Sequence, residues 1–391
     1  MNNIIKIFLG SIFPKFFIFF LNVLIARSLN LADFGFYSYV KSFYNYFETT
    51  VSSALNPFAI ARLANGDFSK AQFFTLYFIY AIISASLAIT LFILSNSDVD
   101  YTLIAILFGA VLGSIINAYF YVLLINNQRG QIIVLSTFCA AVFLLIIVFL
   151  FSVNTAIFAI VLALSFNVID LLLKLLYFFR EKSKKPIRMA FNFDGLPIKS
   201  SLVLMVALML NGGVFLFQRY ILSEQSDGFQ QLGYLEVLMQ LYALITIVLT
   251  ALANGLMREG TITVSRFTFK GMNILAVFCG GISILYGVFI ILFESQISAL
   301  YKIELPAQTL NILCLMVVMY AFAFFSVRLL IMKEMQKLNL LSTVLSSALC
   351  FSVYVIMDVS VLTIIISYCL FYFFMGFFNI VFLRLNQECK V

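Results

Sequence analysis

The amino-acid sequence predicts an all-α polytopic membrane protein of about 12 transmembrane helices in two six-helix lobes. Composition, the spacing of apolar runs and the one-sidedness of the basic residues predict it. Of 391 residues, 63% are hydrophobic and 10% charged, and mean hydropathy is +1.09. Soluble domains hold roughly 45–50% apolar and about 25% charged residues, so a soluble globule could not hide this much apolar surface. At about 20 residues per span plus a short turn, helices fill the length and leave no room for a separate soluble domain.

Apolar runs place helices near residues 7–27, 34–60, 72–95, 101–125, 131–151, 155–179, 199–222, 230–257, 271–293, 306–330, 338–357 and 359–383. The first run is too long for a signal-peptide core and precedes no small-residue cleavage site, so it reads as a retained span. An even number of spans puts both termini on one side. That side carries Lys6, Arg62, Lys70, Arg129, Arg180, Lys182, Lys184, Lys185, Arg188, Lys199, Arg258, Arg266, Lys270, Lys333, Lys337, Arg384 and Lys390. The other side has only Arg27 and Lys302 among cations, with Asp33, Asp98, Asp100, Glu224, Asp227, Glu294, Glu304 and Asp358. Cytoplasmic loops retain Lys and Arg, so both termini are expected in the cytoplasm. The net charge of +7 therefore reflects topology and implies no nucleic-acid partner.

The longest hydrophilic stretch, Arg180 to Lys199, nearly bisects the chain. It suggests an N-terminal lobe over 1–180, a basic cytoplasmic linker over 181–198 and a C-terminal lobe over 199–391. With an even number of helices in each half, such a repeat would be parallel, related by an axis along the membrane normal. One internal match supports it. Arg27 precedes Phe34-Gly35-Phe36-Tyr37 in the first half, and Arg219 precedes Leu232-Gly233-Tyr234 in the second.

Every loop is short, histidine is absent, and there is no GxxxxGK[ST] phosphate loop, paired-carboxylate set or metal-ligand spacing. No metal and no cofactor is expected. The six cysteines form no disulfide framework. What remains are polar residues inside helices, which are costly in hydrocarbon and usually face a bundle interior or a watery cavity.

Lys41, Asn45, Glu48, Ser52 and Asn56 share one face of the second helix, extended by Ser38. The plainer account is a Lys41 to Glu48 tie, or a Lys41 that snorkels to the headgroups. Ser11, Lys15 and Asn22 share a face of the first helix, where Lys15 either snorkels or lines a cavity and Pro14 weakens the first turn. Glu236, Gln240, Thr250, Asn254 and Arg258 form a matching face on the eighth helix. Beside it, Arg219, Gln218 and Asn211 lie on the seventh, with Arg219 open to the plainer role of interface anchor. If these faces meet, Lys15, Lys41 and Arg219 would stand against Glu48 and Glu236. Arg62 and Arg258 could receive an anionic headgroup, although the positive-inside rule alone would place Arg there. Asp170 and Lys174 read as a local i,i+4 salt bridge.

The run Leu24-Ile25-Ala26-Arg27-Ser28-Leu29-Asn30, followed by Asp33-Phe34-Gly35-Phe36-Tyr37, Asn56-Pro57 and Ala61-Arg62-Leu63-Ala64, resembles the start of bacterial polysaccharide flippases. These are the O-antigen (Wzx-type) members of the multidrug, oligosaccharidyl-lipid and polysaccharide (MOP) exporter superfamily. Helix count, basic linker and short loops match over the whole chain; in residues the resemblance is confined to positions 20 to 65. Gln218-Arg219 departs from an acidic-then-basic pair often found late in the seventh helix of the family.

The resemblance implies a flippase of the bacterial inner membrane that moves an undecaprenyl-pyrophosphate-linked oligosaccharide to the periplasmic leaflet by alternating access. It would work among membrane lipids and other polysaccharide-assembly membrane proteins. Lys15, Lys41 and Arg219, with Arg62, Arg258, Asn22, Asn45, Gln240 and Asn254, would line the cavity. Glu48 and Glu236 would balance charge or bind a coupling cation, H+ or Na+. Two other readings stand beside it: a cation-coupled multidrug efflux transporter, and a membrane O-antigen polymerase or ligase, which the short outer loops disfavour.

Overall fold

The computed structural model describes residues 16–64, 69–96, 100–127, 129–151, 153–180, 190–191, 198–258, 269–332 and 335–388. Within them the chain is helical throughout, with no strand. In order the helices are α1 (Phe16–Ser28), α2 (Leu31–Ala64), α3 (Lys70–Leu94), α4 (Tyr101–Asn126), α5 (Gly130–Leu150), α6 (Ala156–Arg180), α7 (Ile198–Ser223), α8 (Gly228–Arg258), α9 (Phe269–Leu292), α10 (Glu294–Tyr301), α11 (Ala307–Met332), α12 (Gln336–Ile356) and α13 (Val361–Glu388).

Local chemistry sets the helix starts. The Ser69 side chain accepts from the Gln72 amide while the Gln72 side chain reaches back to the Ser69 amide, so two orphan donors at the start of α3 are satisfied reciprocally. Asp100 caps α4 through the Thr102 amide at 2.8 Å. Asn30 caps α2 by accepting from the Asp33 amide at 2.8 Å.

Nine helices among the described residues are long and apolar enough to span a bilayer, or ten if the bent pair Gly280–Leu292 and Glu294–Tyr301 counts as one span. The first two expected spans fall outside that number for visible reasons. Helix α1 is described only from Phe16. Helix α2 has 34 residues, ample for a bilayer, but its polar stripe lowers its hydropathy. Helix α10 was not expected: Glu294 to Tyr301 reads as loop in sequence, yet it forms a short helix turned 70° from α9. It ends on Lys302 in the left-handed conformation at φ 57°, and Tyr301 anchors it in the interior at 1% exposure.

The chain divides into two compact units, 1–29 with 36–212, and 30–35 with 213–391. In the first, α4 packs on α3 and α6, and α5 on α6. In the second, α11 packs on α9 and α13, and α12 on α13. The neighbour order is the same in both units. Within the second unit the first turn of α2 approaches α8 at two glycines. A Cβ added at Gly35 would lie 1.7 Å from the Phe229 carbonyl oxygen, and one at Gly233 would lie 2.4 Å from that of Leu31. The contact is reciprocal, each glycine lying against the carbonyl four residues before the other. It involves the same two glycine-aromatic segments that match in sequence.

Because the Gly35 position has no room for even a methyl group, Gly35→Ala should lower the thermal unfolding temperature in detergent, with a cost of about 1–3 kcal/mol from forced backbone shifts. Gly109, which has nothing within 4 Å of its added Cβ, provides the control. Gly109→Ala in α4 should leave the melting temperature unchanged or raise it.

Candidate functional site

In the first unit, α1 and α2 bring three polar residues together. The Tyr37 hydroxyl donates to Asn22 Oδ1 at 2.6 Å, and the Lys41 ammonium donates to the same oxygen at 2.9 Å. The ammonium also lies 5.3 Å from the Tyr37 ring centroid, where the ring's negative face attracts it. Asn22 and Tyr37 are buried, while Lys41 is partly open. Lys41 is therefore aimed by its neighbours and is not simply extended along the helix. One turn farther along the stripe Asn45 is exposed. Glu48 accepts from the Thr49 hydroxyl at 3.2 Å and from the Ser52 hydroxyl at 3.0 Å.

In the second unit, Arg219 of α7 meets Glu236 of α8 at 3.1 Å, both largely buried. This answers the question the sequence left open about Arg219, which is engaged in a buried ion pair. One turn beyond Glu236, Gln240 accepts at Oε1 from the Tyr301 hydroxyl at 2.9 Å. Its Nε2 is buried without a hydrogen-bond partner. Gln218, beside Arg219, donates to the Ser367 hydroxyl at 2.7 Å, and its Oε1 is likewise buried and unpartnered. Buried polar atoms normally find partners, and among the described residues Gln218 and Gln240 share this state with others, Asn126 of α4 and Asn339 of α12 among them. Next to it, the Tyr242 hydroxyl donates to that of Tyr372 at 2.8 Å, and Tyr320 crosses both rings edge-on.

The structure thus joins Lys41 with Asn22, Arg219 with Glu236, and Gln240 with Tyr301. Lys15 lies outside the described residues, as do the side chains of Arg62, Asn254 and Arg258. Sequence reasoning missed Tyr301, because α10 was read as loop. It also missed the reach of the Asp170–Lys174 pair. That pair forms as expected, at 2.6 Å, but it is buried and joined by Asn117 of α4. An asparagine alone in the otherwise apolar middle of α4 was the available signal. A separate hollow of about 500 Å³ at the α9–α10 elbow is lined by Glu294, Ser295, Ser298 and Glu304.

Removing one member of a buried ion pair strands the other, which costs about 3–5 kcal/mol, whereas replacing both with apolar residues is often neutral. Glu236→Gln should therefore lower the melting temperature markedly. Arg219→Met with Glu236→Met should recover most of the loss, as read by thermal unfolding of the purified protein.

No family model matches the chain, and no curated protein sequence matches it. Solved structures do. An inward-facing MATE-family multidrug-resistance transporter of the MOP superfamily aligns with a TM-score of 0.62 at 12% identity, covering 95% of this chain and 94% of that one. The eukaryotic MATE transporter AtDTX14 aligns with a TM-score of 0.69 at 13% identity, over 97% and 93%. A MOP-superfamily transporter from Pyrococcus furiosus, described as having a binding pocket of reversed polarity, aligns with a TM-score of 0.63 at 12% identity, over 98% and 95%. Over nearly its whole length, then, this all-α, multi-pass membrane protein has the two-lobed fold of the MATE transporters of the MOP superfamily.

Proposed function

We propose that the protein is a secondary transporter that exports an amphipathic, ionisable solute by alternating access, with multidrug-type efflux as the leading reading. The observation that carries it is a pair of aimed, charged clusters, Lys41 with Asn22 and Tyr37, and Arg219 with Glu236, on a fold whose solved examples include multidrug-resistance transporters. Such charges are costly in a membrane helix and are retained chiefly where a substrate or ion needs them. Glu236 and Glu48 are the carboxylates suited to a coupling cation, H+ or Na+. The Tyr242, Tyr320 and Tyr372 group offers aromatic surface for an apolar portion of the solute.

A second reading has its own support. The segments 24–37 and 56–64 resemble the O-antigen flippases, and Lys41 and Arg219 suit a pyrophosphate-linked oligosaccharide drawn from the surrounding lipid. In this reading the partners are the lipid-linked glycan, membrane lipids and other polysaccharide-assembly proteins. Both readings place the chain in the bacterial inner membrane with cytoplasmic termini, as the distribution of Lys and Arg favours.

Two strains separate the readings. In a host stripped of its own efflux pumps, expression should lower accumulation of a cationic dye such as ethidium and raise resistance several-fold. Collapse of the proton or sodium gradient should abolish the effect. In a host lacking its O-antigen flippase, surface polysaccharide should stay absent. Restored polysaccharide without dye efflux would transfer the assignment to the second reading, and Lys41→Glu should then abolish that restoration.

A further inference from the structure

A second charged cluster lies within the first unit, on α4 and α6. Lys174 Nζ on α6 donates to Asp170 Oδ2 at 2.6 Å and to Asn117 Oδ1 on α4 at 2.8 Å. The Asn117 amide donates its own hydrogen to Asp170 Oδ2 at 2.9 Å. Thr137 of α5 lies with its hydroxyl 2.7 Å from the Ile133 carbonyl and 3.4 Å from Asp170 Oδ1. Asp170 is 3% exposed and Lys174 2%.

An i,i+4 pair on a helix surface is worth only a few tenths of a kcal/mol and needs no third partner. This pair is different in kind. It is sealed in the interior, and its ammonium sits among oxygens supplied by two helices, with a third helix bordering the carboxylate. The amide of Asn117 is turned so that its oxygen faces the ammonium and its nitrogen the carboxylate. A carboxylate oxygen and a neutral amide oxygen facing one positive charge are the beginnings of a monovalent-cation site, and the Thr137 hydroxyl borders the other carboxylate oxygen. A buried carboxylate without a counter-charge is strongly disfavoured, so a vacated cage would draw in a replacement charge.

We propose that Lys174 is a tethered cation occupying a monovalent-cation site centred on Asp170 Oδ2 and Asn117 Oδ1, so that the native protein binds no inorganic cation there. Any coupling cation of the transport reading must then use another carboxylate. Removing the lysine side chain converts this cluster into a site for Na+ or NH4+. The assignment stands independently of which solute is carried, because it is read by stability and not by transport.

The test is thermal unfolding of the purified full chain in matched chlorides of sodium, potassium, ammonium and choline. Choline is too large to enter the cage. The melting temperature of wild type in each of the four salts sets the baseline, which includes the response of any coupling site elsewhere in the chain. Lys174→Ala should melt well below wild type in choline and recover by several degrees in sodium or ammonium, rising with concentration as a saturable ligand requires. Asp170→Asn with Lys174→Ala, which removes both charges, should lose that dependence. A Lys174→Ala protein whose dependence on small cations does not exceed that of wild type would show that Asp170 has taken up a proton, and would overturn the proposal. So would failure of Lys174→Ala to fold in any salt while the double variant folds.

Discussion

The cost of leaving a polar group unsatisfied in hydrocarbon governs this structure. Water is not available to most of the chain, so each backbone amide must find its partner within its own helix, and each charged side chain must find one among neighbouring helices. The first requirement makes the protein helical throughout its described length. The second gathers its few interior charges into clusters. Lys41 meets Asn22 and Tyr37, Arg219 meets Glu236, and Lys174 meets Asp170 and Asn117.

These clusters differ in how completely they are satisfied. The Asp170 group closes on itself. Around Arg219 and Glu236, by contrast, Gln240 Nε2 and Gln218 Oε1 remain buried without partners. Helix–helix association in lipid lacks a hydrophobic drive and depends on close packing. The reciprocal approach of Gly35 and Gly233 to opposing carbonyls shows that dependence. Two short segments that match in sequence are also the two that must bring backbone against backbone, which is a physical reason for the match.

Much of the fold was legible because the membrane imposes simple rules. Span length follows bilayer thickness. Eleven of the expected helices correspond directly to α2–α9 and α11–α13, with α1 described from Phe16. Helix α10 was not legible, since eight residues with Glu294 and Lys302 at or near its ends carry no span-length apolar signal. Its existence depends on Tyr301 finding an interior slot and a bond to Gln240, which are long-range events. The stripe on α2 was legible from periodicity, but periodicity could not say that Lys41 would turn to Asn22.

The sequence by itself determined that the chain is a polytopic helical membrane protein, where its span-length helices run, and which helices carry charge into the membrane, because these follow from local hydropathy and from a 3.6-residue repeat. Only the tertiary structure decided the partner of each charge. Arg219 and Glu236 stand on adjacent helices, and Asn117 lies 53 residues before Asp170 in the chain, yet 2.9 Å from it in space. Such pairings depend on how helices rotate and cross, and that is set by side-chain packing along whole helix faces, which no local pattern encodes.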